Sequence, residues 1–271
     1  MVGSAAGDEG VVDTETFIAR VNLITHATVR SAVDRLQNDH RNIDADNAFR
    51  ALYHVAKRHD VKLRHLAAAV VETEPRSGIR SVDEPELPFQ PGRRAGLPSR
   101  TDVMADLLAE AVELTSANAA AVHLRHALHG GLCIERDSGL GEGFRRQFSY
   151  VDDAGSAAGR SSARCEVVRI DDVSVSPIYT RADVAVLADE GIRAQLAVPM
   201  CDETGFNWGA VDVLFAVRHP RIDPFGVDML HGHADACAQW LRWYDLTVMP
   251  KLVTAVHRAA QATGLVDVAS A

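Results

Sequence analysis

A chain of 271 residues, 47% hydrophobic and 24% charged, has the composition of a globular protein with room for two domains. Its formal net charge of −9 argues against a surface that is a nucleic-acid platform throughout, though not against one local basic patch. No run of about 18 apolar residues occurs and no apolar segment follows a basic start, so neither a membrane span nor a signal peptide is expected and the predicted location is cytoplasmic.

Residues 1–13 are small and acidic and read as a disordered leader. From Thr14 to Leu36, Phe17, Val21, Ile24, Thr28, Val29, Ala32 and Leu36 form a helical stripe, with Leu23 and Val33 on neighbouring positions. The stripe is longer than two short helices can cover, which predicts a homodimer through the first helix. Asp44 is placed to cap a second helix, whose apolar positions are Ala48, Phe49, Leu52, Val55 and Ala56. Lys57-Arg58-His59 closes that helix, as cations suit its negative end, and His59-Asp60 breaks it. Leu63, Leu66, Ala67, Val70 and Val71 mark a third helix. Neither of these two is long enough to stand alone, so both must pack on the first.

The run from Ile43 to Val71, with Ile43-Asp44-Ala45-Asp46, Ala48-Phe49, Lys62-Leu63-Arg64 and Leu66-Ala67, resembles the ANTAR domain, a three-helix RNA-binding module of bacterial antiterminators. The resemblance covers residues 14–73. It implies recognition of RNA stem-loops, with Lys57, Arg58, Lys62 and Arg64 on phosphates and Tyr53 or His54 stacked on a splayed base. Where the family carries Ala-Lys-Gly in its first helix, this chain has Ala32-Val33-Asp34. Val33 and Asp34 weaken attraction to phosphate. The alternative is therefore a sensor whose helical module serves only for dimerisation. The basic corner itself, from Lys57 to His65, also reads as a solvated charged turn.

Residues 74–100 are rich in Pro, Gly, Arg and Glu without apolar periodicity and read as a linker, in which Leu87-Pro88-Phe89-Gln90-Pro91 lies extended across a surface. Residues 101–246 form a second domain. Its predicted order is a helix over 103–114, strands at 119–125 and 132–136 around His129-Gly130-Gly131, and a long excursion. A strand at 167–170, a helix at 182–190, strands at 194–199 and 208–216, and a long helix opened by Asp223-Pro224 follow. Ile170-Asp171-Asp172-Val173, Gly191-Ile192-Arg193-Ala194, Ala197-Val198-Pro199-Met200, Trp208-Gly209-Ala210 and His219-Pro220-Arg221 resemble a GAF-type sensor domain. The expected fold class is thus α+β: a three-helix ANTAR-like module, then a GAF-like antiparallel sheet flanked by helices, with 247–271 as a helical tail.

The GAF resemblance implies a small-molecule ligand of unnamed identity. Its floor would be the sheet face opposite the terminal helices and its lid the excursion 139–190. The pocket candidates are His123, Phe144, Phe148, Tyr150, Ile178, Tyr179, Arg193 and Gln195, an apolar set with a few polar ends; the same aromatics also read as core.

Other chemistry finds little support. Gly139-Leu140-Gly141-Glu142-Gly143 lacks the Lys-Ser/Thr of a phosphate loop and reads as a flexible loop. His231 and His233 lie two apart on a helix and diverge. Asp171-Asp172 reads as a strand-end turn. No nucleophile–base arrangement is apparent, so no catalytic or metal-binding residue is expected, and an enzyme on the GAF-like fold is a remote alternative. Any cofactor stays open. The four cysteines, Cys133, Cys165, Cys201 and Cys237, have no metal or redox spacing and read as reduced thiols.

Overall fold

The first three helices show why short helices hold here. In a computed structural model that describes residues 14–75, 82–90, 99–152 and 155–269, α1 spans Thr14–Asp39, α2 Ala45–Arg58 and α3 Leu63–Glu72. The leader 1–13 lies outside the described residues, as do the side chains of Phe17 and Val21. The Asp44 carboxylate caps α2, accepting from the Asn47 N–H at 2.7 Å. Leu36, Leu52 and Leu66 meet fully buried, each worth roughly 2 kcal/mol of apolar transfer. That is what helices this short require. His59 ends α2, and Asp60 turns the chain with φ +48°.

Two expectations change. Phe49 is not on the buried face of α2: Ala48, Ala51, Leu52 and Val55 hold it, and Phe49 sits one stripe over, stacked on Tyr53 at 6.1 Å. The tail is not free either. A helix over Met249–Ala269, α9, packs on α2 and α3 through buried Leu252, Val253, Val256 and Ala260, as the fourth wall of the helical unit.

The second half begins with α4 (Arg100–Thr115), capped by Ser99. Then come β1 (Ala119–Arg125), β2 (Leu132–Ser138), α5 (Glu142–Gln147), β3 (Tyr150–Val151) and α6 (Ala157–Arg164). The chain continues through β4 (Val168–Ile170), a short 3-10 turn, α7 (Arg181–Asp189), β5 (Ala194–Cys201), β6 (Asn207–Phe215) and α8 (Pro224–Thr247). The sheet is antiparallel with order β3-β2-β1-β6-β5-β4. This is an α+β architecture. The elements α5, β3 and α6 fall inside the stretch expected to be irregular. The α6 sequence AAGRSSAR carries no apolar period to reveal it.

Alternation along the strands separates two cores. Val122, Leu124, Leu196, Val198, Val211 and Val213 face α4 and α8 and join the core of the helical unit. Ala119, Ala121, Ala197, Ala210 and Leu214 face the other way, under Phe144, Phe148, Ala157, Ala158 and Leu187. Part of the linker is fixed on α8: Trp240 Nε1 donates to Glu84 and Trp243 Nε1 to the Val82 carbonyl, both at 2.8 Å. Buried indoles need such partners. No helix among the described residues is long and apolar enough to cross a membrane.

Candidate functional site

The alanine-floored face of the sheet carries a buried polar chain. In β6, register sets Asp212 between Ala121 of β1 and Ala197 of β5. Gln195, on the same face of β5, donates from Nε2 to Asp212 Oδ2 at 3.0 Å. Tyr179 donates its hydroxyl to Gln195 Oε1 and accepts the Ala157 N–H at 3.3 Å. Asp212 Oδ1 is buried without a partner, and neither buried ring nitrogen of His123 makes a well-aligned hydrogen bond.

Burial governs the protonation of this set. It raises the Asp212 carboxyl to about 8, against the Gln195 hydrogen bond. It lowers His123 to about 4, against Asp137 and the Phe148 carbonyl, so the imidazole is neutral at pH 7. It also pushes the Tyr179 phenol well above its ordinary range, with Asp212 adding to the shift.

Of the expected pocket residues, His123, Phe144, Phe148, Ile178, Tyr179 and Gln195 come together on this face, with the Phe144 and Phe148 rings 4.6 Å apart. Two do not. Tyr150 sits on the edge strand β3, where its ring covers Gly131 and its hydroxyl donates to the Gly130 carbonyl at 3.2 Å. Arg193 turns back to donate to the Ala188 and Ile192 carbonyls at 3.1 Å, satisfying the end of α7. Asp212 is not among the residues expected from the sequence. Its signal is there: one carboxylate inside the otherwise apolar run WGAVDVLF.

The basic corner divides. Tyr53, His54, Lys57 and Arg58 lie exposed on α2, with the Tyr53 and His54 rings 5.9 Å apart. Lys62 and Arg64 instead turn inward onto Glu135 of β2. Arg64 Nη2 lies 2.5 Å, His65 Nε2 2.8 Å and Lys62 Nζ 3.5 Å from Glu135 Oε2. The cause is a β-bulge. Register pairs Val122 with Arg136 and His123 with Ile134, leaving Glu135 as the extra residue, which re-aims its side chain. Lys62 also donates to the Glu135 carbonyl, and Arg64 to the Ile134 carbonyl at 3.2 Å. Burial alone would raise the Glu135 carboxyl. The His65 hydrogen bond and the Arg64 and Lys62 charges outweigh it and hold Glu135 well below the usual carboxylate range. Burial, with Arg100 nearby, lowers His65 to about 3.

Other sequence features resolve locally. The glycine run is anchored rather than flexible. The Gly141 and Phe144 N–H groups donate to the Glu190 carboxylate at 2.9 and 3.2 Å, and a Cβ at Gly141 would strike it. Asp172 caps the 3-10 turn through the Ser174 N–H. His231 lies near Asp235, while His233 is buried beside Glu110 and Phe89. The four-thiol expectation is corrected: Cys165 and Cys201 form a disulfide joining the end of α6 to β5, and Cys133 and Cys237 are free and buried. A 36-residue separation hid a pairing that only the docking of α6 on β5 creates.

No family model matches the chain, and no curated protein matches it. Among solved structures it is similar to a GAF domain/HD domain protein from Geobacter sulfurreducens, at 19% identity over 55% of this chain and 97% of that one, with a TM-score of 0.46. It is also similar to a domain of a two-component sensor histidine kinase protein from Sinorhizobium meliloti 1021, at 16% identity, 53% and 92% coverage and a TM-score of 0.45. A third is the type II free methionine-R-sulfoxide reductase from Thermoplasma acidophilum, at 15% identity, 54% and 96% coverage and a TM-score of 0.41.

Proposed function

We propose that this protein is a ligand-responsive regulator in which a GAF-like sensor half controls an ANTAR-like, RNA-binding helical half. The observation that carries the reading is Glu135. It sits in the bulge beside Ile134, the cross-strand partner of His123, and its carboxylate holds Lys62, Arg64 and His65 of the helical half. A ligand that moves His123 strains that bulge and biases the Glu135 contacts. Such coupling requires different ligand affinities for the clasped and released states.

In this reading the exposed α2 face carries the first RNA contacts. Lys57 and Arg58 meet phosphates, and Tyr53 or His54 stacks on a loop base. Lys62 and Arg64 join only on release from Glu135, so the clasped state is the weak-binding one. The protein works by binding rather than turnover, in the cytoplasm where the RNA is made.

The test is binding to short-loop RNA hairpins over a salt series. Wild type should bind weakly and Glu135→Gln more tightly, while a cooperative unfolding transition shows that the variant stays folded. Lys57→Ala/Arg58→Ala should reduce the slope of log K against log salt by about one to two. Absence of binding by both wild type and Glu135→Gln at low salt would overturn the RNA reading. The runner-up is then a sensor with a helical dimerisation scaffold. It is favoured by the buried position of Val33, which serves the α1 core, and by the turning inward of Lys62 and Arg64.

A further inference from the structure

Resting on the small-molecule-sensor reading, we infer that the buried face around Asp212 takes a compact cationic ligand, an aromatic ammonium or amidinium, whose N–H groups bind Asp212 Oδ1 beneath the Phe144, Phe148 and Tyr179 rings.

The hydrogen-bond chain has a direction. The Tyr179 oxygen accepts from the Ala157 N–H, so its own proton goes to Gln195 Oε1. That fixes the Gln195 amide with its NH2 group toward Asp212, where it donates to Oδ2. The chain thus delivers an N–H to Oδ2, which that oxygen accepts in either protonation state, and leaves Oδ1 to an outside partner. Yet every partner it supplies is neutral. Asp212 is 2% exposed, its Oδ1 has no partner, and among the described residues the side chain that bonds it is the neutral Gln195 amide, not a lysine or arginine. Burial keeps this carboxyl protonated at pH 7, and a bound cation that ionises it would complete a pair the fold leaves unmade.

The surroundings select what completes it. Ala121 and Ala197 flank Asp212 across the strands, so the shortest side chains on this face surround the carboxyl. His123, 1% exposed, pairs with Ala210 two residues away from Asp212 and offers a neutral imidazole, one side of it toward the Phe148 carbonyl. Three aromatic rings stand over the floor, and aromatic faces attract cations. Arg160 acts on Tyr179 from one side, but Asp212 and Asp183 act on the same phenol and Asp137 on His123. The field therefore favours a cation over a phosphate or carboxylate.

The experiment uses the full chain and two isosteric probe series: benzamidine, benzamide and benzoate; then 2-phenylethylamine, 2-phenylethanol and phenylacetate. Calorimetry and thermal shift are read for wild type, Asp212→Asn and Tyr179→Phe. At least one cation should bind and raise Tm while its neutral and anionic counterparts do not. Asp212→Asn should weaken that cation at least about tenfold, the loss expected for a charged hydrogen bond, with a cooperative unfolding transition retained. Tyr179→Phe keeps the carboxylate but frees the Gln195 amide, and should weaken it a few-fold. Neutral or anionic probes binding better than the cations, or a cation indifferent to Asp212→Asn, would overturn the ligand class and leave the sensor reading intact. Failure of all six probes to bind would overturn the proposal and count against a small-molecule site on this face altogether.

Discussion

Glu135 and Asp212 stand on the same sheet, both almost wholly withdrawn from water, and the protein treats them oppositely. Glu135 is held ionised, because Arg64 and Lys62 stand against it and His65 hydrogen-bonds it. Asp212 is pushed up to about 8, because its one partner is an amide. Desolvation is common to both, so the difference lies in whether the fold supplies a cation. A completed pair reads as structure, here the fastening of two halves. An incomplete one reads as a place for something from outside.

The sharpest way to break this contrast is to remove the completed charge. Glu135→Ala leaves Arg64 and Lys62 turned inward without an anion and should cost about 3–5 kcal/mol in urea unfolding. A loss under about 1 kcal/mol would mean the two halves are not fastened there. Removing the incomplete charge should do the reverse. Asp212→Asn keeps the Gln195 hydrogen bond and should stabilise the ligand-free protein by about 2 kcal/mol at pH 8. The sign follows from a folded pKa raised above the ordinary 3.8. Stability from the protonated carboxyl is present below about 4 and lost as pH rises to about 8, so the advantage of the Asn variant should grow across that window. A constant difference would show that Asp212 does not titrate as its burial requires.

Histidines give a smaller effect that touches both sites. His65 and His123 are held neutral, with pKa values lowered from 6.5 to about 3 and about 4. Their contribution is present above about 6.5 and lost as pH falls through the folded values. The unfolding free energy from urea titration should therefore fall on acidification, by about 1–2 kcal/mol between pH 7.5 and 5 for His123. His123→Asn should flatten that part of the curve. Least of all, Tyr179→Phe removes the hydroxyl between Ala157 and Gln195 and should cost about 1 kcal/mol. Equal stability would mean the polar chain has no part in ordering α6.

Much of the frame was legible because local rules agreed. The cap at Asp44, the break at His59-Asp60, the β-hairpin 119–138 and the Pro-led α8 all lie where spacing and turn chemistry put them. Of the six pocket candidates on one face, strand alternation places His123 and Gln195, whereas Phe144, Phe148, Ile178 and Tyr179 reach it from segments that cover the sheet. Tyr150 and Arg193 lie away from that face for a definable reason. A polar end needs a partner, and sequence does not say whether the partner is a ligand or a nearby carbonyl.

By itself the sequence determined most of the elements, though not α5, β3 or α6, and with them the α+β class and the two apolar faces of the sheet, since these depend on the residue period within one segment. Only the tertiary structure decided that Lys62 and Arg64 meet Glu135, 73 and 71 positions away, that α9 walls the helical unit, and that Cys165 meets Cys201. It alone left Asp212 without a cation. Period is local, whereas the partner of a charge is fixed by which surfaces pack together and by the dielectric they exclude.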